Sequence, residues 1–133
     1  MIKTRKVSKS EALNYIQRAE ECKAATQFSL DQGNWNSCLT TAIQCAISSA
    51  DAVCVYQLGE RSASDNHADA GRLLIQIDPN NEEIKMAVKH LSHLINLKTD
   101  AQYGEKLFSK NEAEQAAKHA ERLLSYAKSV IKA

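Results

Sequence analysis

Residues 34–59 read NWNSCLTTAIQCAISSADAVCVYQLG, and Asp51 is the sole charge between Asp31 and Glu60. Leu39, Ile43, Ala46, Ala50 and Val53 recur at steps of four and three along one side of a helix. Trp35, Cys38, Ala42, Cys45 and Tyr56 line the other. The remaining stripe, Ser37, Thr41, Gln44, Ser48 and Asp51, is polar but uncharged until its last member. A helix that is apolar nearly all round is contacted on most sides. The stretch therefore predicts the central helix of an all-α domain, capped by Asn34 or Asn36 and ended at Gly59.

Working outward, the rest of the chain supplies helices to surround it. "SKSE" at 8–11 pairs Ser8 with Glu11 as a capping box, and Leu13, Ile16, Ala19, Cys22 and Ala25 are expected to face inward before Gly33 stops that helix. Asp65 or Ser64 caps a helix over about 66–77, stopped by "DPNN" around the lone proline, Pro79. "NNEE" opens a fourth helix with Ile84, Val88, Leu91 and Ile95 in a seam. After a loop over "TDAQYGEKLF", Ser109 and Glu112 form a second capping box. The last helix carries Ala113, Ala117, Ala120, Leu124, Ala127 and Ile131 on one face. β-branched alternation is absent and alanine is abundant, so the fold class is all-α: an antiparallel bundle of four long helices and one shorter.

At 133 residues the chain is about one domain, a basic arm over 1–7 leading into a bundle over 8–133. The net charge of +1 argues against a broad nucleic-acid footprint, although Lys3, Arg5, Lys6 and Lys9 crowd the start and could touch phosphate. No run approaches the roughly 18 apolar residues of a membrane span, and no apolar segment follows the basic start as in a secretory signal. Cys22, Cys38, Cys45 and Cys54 lack metal or disulfide spacing; Cys38 and Cys45 would lie about 10 Å apart along one helix. They read as core residues of a cytoplasmic protein.

The order of landmarks is similar to that of the HEPN family, helical domains named for higher eukaryotes and prokaryotes nucleotide-binding. The likeness runs over about 8–131: "DQGNW" between two long helices, "AISSADAV" with its buried acid, "NHADAGRLL" opening the third helix, "DAQYG" after the fourth, then "EAEQAAKHAERLL". The resemblance implies nucleotide binding, metal-independent ribonuclease activity, or a non-catalytic role as partner, commonly in a homodimer whose site spans the interface. It implies as catalytic signature an arginine and a histidine four to six residues apart, with a tyrosine two after the histidine. Arg61 and His67 meet that spacing, but Ala68 and Asp69 follow where an aromatic is wanted. Tyr103 stands in a better-placed segment, yet Ala101 occupies its histidine position.

Metal-free RNA cleavage needs a group that titrates near neutrality and a cation for the phosphate, which His67 and Arg61 supply, with Asp65 or Asn66 to orient the imidazole. The alternative is a solvated arginine beyond a helix end and a histidine packed in a first turn. Asp51 has little water around it and needs a partner, with Arg72, Arg61, Arg18 and Tyr103 in view. It serves as a structural tether or lines a pocket. Trp35 could stack a base or belong to the core. His90 and His93 share a face of the fourth helix without an acid or cysteine at ligand spacing, so no metal is expected. GxGxxG and GxxxxGK are absent, and no cofactor is expected.

The leading reading is a module that binds a nucleotide, RNA or a partner protein without catalysis, with Asp51, Asn66, Tyr103 and Trp35 as candidate contacts. A metal-independent endoribonuclease of toxin–antitoxin type using Arg61 and His67 is the alternative. A purely structural interaction module is the third possibility. No membrane contact is expected.

Overall fold

The computed structural model describes residues 2–132, with residues 99–103 described by their backbone alone. Its elements are strand β1 (Thr4–Lys6), helices α1 (Ala12–Asp31) and α2 (Trp35–Leu58), strand β2 (Glu60–Ser62), then α3 (Ala68–Ile77), α4 (Glu82–Tyr103) and α5 (Lys110–Ile131). The bundle of four long helices and one shorter follows from the hydrophobic periodicity.

Helix α2 is the core. It packs against each of the other four helices. Leu39, Ala42, Ile43, Cys45, Ala46, Ala50, Ala52 and Val53 are wholly buried. By length and composition α2 could also cross a bilayer, but most of it is covered by its neighbours. Alanines set the spacing: Ala113 and Ala116 on α5 are as fully buried as Ala42 and Ala46, so these surfaces carry little side-chain bulk. Polar ties fix the register of the helices. Thr26 Oγ1 and Thr41 Oγ1 are 2.7 Å apart between α1 and α2. Asn36, one of the two expected caps, instead accepts a 3.0 Å bond from the Phe108 amide, pinning the approach to α5.

The helix signals were uneven in strength. Ser109 and Glu112 form both bonds of the capping box at α5, and Asn81 Oδ1 accepts from the Ile84 amide at the start of α4. Ser109→Ala is expected to cost about 1 kcal/mol of stability in urea melts, the usual loss for a cap. At the first helix no box forms: Ser8 Oγ meets Ser10 Oγ at 2.9 Å, and a 3-10 turn over Lys9–Glu11 precedes α1. The buried face of α1 is Ala12, Ile16, Ala19, Thr26 and Ser29, while Leu13 and Ala25 point outward. Helix α4 extends through Tyr103, so the connection to α5 starts at Gly104 rather than at Thr99.

The basic start of the chain is not detached from the bundle. Strand β1 pairs antiparallel with β2, setting Thr4 against Ser62, Arg5 against Arg61 and Lys6 against Glu60. Val7 donates to the Gly59 carbonyl at 3.0 Å and Ala63 to that of Lys3 at 2.9 Å, extending the ribbon at both ends. Gly59 makes the turn: its amide closes α2 on the Val55 carbonyl while its φ of 70° sends the chain directly into β2. That left-handed backbone is strained for residues with a Cβ.

Candidate functional site

Three elements meet where α2 ends. The last turns of α2 bring Asp51, the β1–β2 ribbon brings Arg5 and Arg61, and the loop into α3 brings Ser64, Asp65 and His67. Together they line a cleft of about 360 Å³. Asp51, Arg61 and His67, separated by sixteen residues of chain from first to last, thus face one space.

Arg61 is half-buried. One guanidinium nitrogen donates to the Ser62 carbonyl at 3.1 Å. Its Nε, among the described residues, is buried without a hydrogen-bond partner. Such a donor costs free energy unless something occupies it. Asp51 is only 9% exposed, and no hydrogen bond or ion pair holds its carboxyl among the described residues. Burial pushes its pKa up to about 7, against the pull of Arg61 and then Arg18. The expected ion pair is not formed, and Arg72 is taken instead by Asp69 on α3. Burial and then Lys98 hold His67 below the ordinary histidine range, while Asp65 draws it upward. Near neutrality the cleft therefore holds two guanidinium groups, an imidazole that favours its neutral form, a carboxyl close to its midpoint and, in Asp65, a second acid.

A second cleft of about 250 Å³ adjoins the first and shares Arg5 and Arg61 with it. Lys6, Arg18 and Glu11 contribute its other charges, and Tyr15 its aromatic wall. Arg18 lies over the Tyr15 ring, 5.3 Å from its centre. Tyr15 escaped the sequence reading, and Arg18 entered it only as a possible partner for Asp51. Arg5 was noticed only as part of a charged start, because three-residue strands leave no periodicity to read.

The other candidate residues do not join this site in the same way. Trp35 begins α2, about 24 Å along the axis from Asp51 at 1.5 Å per residue, and packs against the core. Asn66 is exposed and occupied locally, its Oδ1 accepting from the Ala68 amide at 3.0 Å and its own amide donating to Ser64 Oγ at 3.0 Å. The side chain of Tyr103 lies outside the described residues.

The paired histidines of α4 gain a third from α5. His90 Nδ1 and His119 Nδ1 are 2.9 Å apart, and the His93 and His119 ring centres 4.2 Å. Burial and then Arg122 hold His90 low; burial, His93 and His90 do the same for His119. Among the described residues no three metal-ligating side chains converge on one point. The cysteines are free thiols, with Cys38 pushed by burial up to about 11 and Cys45 up to about 12, values that keep them protonated and unreactive.

Comparison with known proteins gives one family. A family model described as HEPN domain matches residues 12–130. No curated protein matches the chain.

Proposed function

The chain belongs to the HEPN domain family and is thus a helical module of nucleotide- or RNA-related kind, and from that premise we propose that it binds the phosphate of a nucleotide or RNA strand in the cleft lined by Arg61. The observation that carries this reading is the buried, unpartnered Nε of Arg61. A guanidinium presents several donors in a fixed fork that suits phosphate oxygens. Burial weakens the charge of Asp51, which with Asp65 is one of two acids that line the cleft, and His67 in the same lining can donate or accept a proton.

The same cleft supports a second reading, metal-independent RNA cleavage. Its specific support is that His67 and Asp51 face the space beside Arg61, the imidazole held below its ordinary range and the carboxyl raised to about 7. The neutral imidazole of His67 could take the proton of an attacking hydroxyl, and the arginine could steady the crowded phosphate. A homodimer is proposed with either reading, and light scattering reports it directly.

Purified protein in EDTA is mixed with labelled RNA, parent beside Arg61→Ala and His67→Ala. The binding reading expects intact RNA, affinity that falls with salt, and a loss of about tenfold or more in Arg61→Ala, the cost of a charge-assisted contact. RNA shortened by the parent and left whole by His67→Ala establishes the nuclease instead. RNA neither bound nor cut leaves a free nucleotide as the ligand or a protein-interaction module.

A further inference from the structure

The two clefts share a wall, and that wall is a pair of like charges. Arg5 and Arg61 stand directly opposite each other in the antiparallel ribbon. Like charges in that position repel and weaken a strand pair. The neighbouring pair obeys the opposite rule, with Lys6 facing Glu60. Glu60 also accepts from the Thr4 hydroxyl at 3.3 Å. Arg5, Arg61 and Arg18 enter no ion pair among the described residues, whereas Arg72, Lys85, Lys106 and Lys128 each have a carboxylate. Three unpaired guanidinium groups thus surround two adjoining spaces.

The two spaces differ in character. The first sets Arg5, Arg61 and His67 against Asp51 and Asp65. The second sets Arg5, Lys6, Arg18 and Arg61 against Glu11 alone. Lys6 is faced by Glu60 across the ribbon, and Asp51 acts on Arg61 and Arg18 from the first cleft, yet among the described residues no carboxylate closes on any of the three guanidinium groups. Arg18 is steadied there by the Tyr15 ring, which restrains the guanidinium while leaving its edge donors unused.

We propose that the clefts are two subsites for neighbouring phosphates of one ligand, with Arg5 and Arg61 between them and Arg18 anchoring the second phosphate. The inference rests on the reading of the first cleft as a phosphate site and adds to it a minimum ligand, a phosphate chain with at least two phosphorus centres. It also gives β1 a task. The strand carries Arg5 to the shared wall, where one anion on either side offsets the repulsion between the two arginines.

Calorimetric titration of the full chain with orthophosphate and with pyrophosphate tests this. Pyrophosphate is expected to bind at least tenfold tighter. Arg18→Gln should bring pyrophosphate to the orthophosphate level while leaving orthophosphate within twofold, and Arg5→Gln should weaken both. Circular dichroism checks that each variant folds. Titration with ADP and with a short oligoadenylate separates the two sources of the same chemistry. A gain over pyrophosphate with ADP alone identifies a nucleoside diphosphate, and a gain with oligoadenylate alone identifies successive phosphates of a strand; either supports the inference. Pyrophosphate binding that is unaffected by Arg18→Gln overturns the second subsite and leaves the first standing. No binding of any of the four ligands overturns both.

Discussion

Asp51→Asn is expected to be more stable than the parent at pH 8, by on the order of 4 kcal/mol, and little different from it at pH 4. The carboxyl is buried at the end of α2 with no hydrogen bond or ion pair among the described residues, and its pKa rises from 3.8 to about 7 on folding. Between those values the folded chain holds a proton that the unfolded chain has released, so stability falls as pH rises from 4 to 7 and then levels off. At 1.36 kcal/mol per unit the shift gives the stated magnitude. Asparagine keeps the shape and removes the titration. His67, His90 and His119, whose values are lowered, act in the opposite sense by favouring the folded state as pH rises through their range. They are common to both proteins and cancel in the difference. Urea unfolding of the two chains from pH 4 to 8 measures the gap. A parent that is the more stable at pH 8 would mean that Asp51 is ionised and held by an arginine, and the cleft would then have a different charge.

Leu39→Ala is expected to lose about 2–5 kcal/mol, the range for emptying a fully packed leucine site. Leu39 has no exposed surface and lies on the helix around which the bundle is built. The alanine-lined surfaces of its neighbours supply few long side chains to swing into the space, which places the loss in the upper part of that range. Leu13→Ala is the informative control. Leu13 is 56% exposed, and its removal should change stability by no more than about 0.5 kcal/mol. Equal losses in the two variants would contradict the observed face of α1.

The contrast between those leucines indicates what was legible in the sequence. In α2 nearly every side of the helix is apolar apart from one uncharged stripe, so no choice of face was needed, and Gly59 announced its end. In α1 the buried face is mixed, with Thr26 and Ser29 inside and Leu13 and Phe28 outside. The hydrophobic seam was therefore right at Ile16, Ala19 and the half-buried Cys22 and one position off at its two ends, Leu13 and Ala25. Ser109 with Glu112 made a true capping box, whereas Ser8 with Glu11 had the same letters but Glu11 itself sits in a 3-10 turn ahead of the helix. Local pattern specifies a cap only where the backbone that follows is already helical.

The site was legible by residue and illegible by arrangement. Asp51 stood out as an isolated charge, and Arg61 and His67 as a spaced pair, yet the letters offered Arg61 only as one of four possible partners for the acid. The joining is done by the turn at Gly59 and by the ribbon. Arg5 could not be distinguished from Lys3, Lys6 or Lys9 without the register that sets it opposite Arg61. Arg18 was considered as a partner for the acid; the structure gives it instead a seat on Tyr15 in the neighbouring cleft.

The ribbon also has a kinetic meaning. Helices α1 and α2 are joined by a short turn and can dock as soon as both exist, whereas β1 finds its partner only after the intervening chain has folded back on itself. Closing so long a loop is entropically costly before the contacts that offset it are made. The strand pairing is thus expected late in folding, with the shared arginine wall assembled after the hydrophobic core. In hydrogen exchange, the amides of Val7 and Ala63 should open well before those in the middle of α2. On the proposed reading, a bundle packed without the ribbon would lack the wall that grips the anion, and competence for binding would come in a separate, final step.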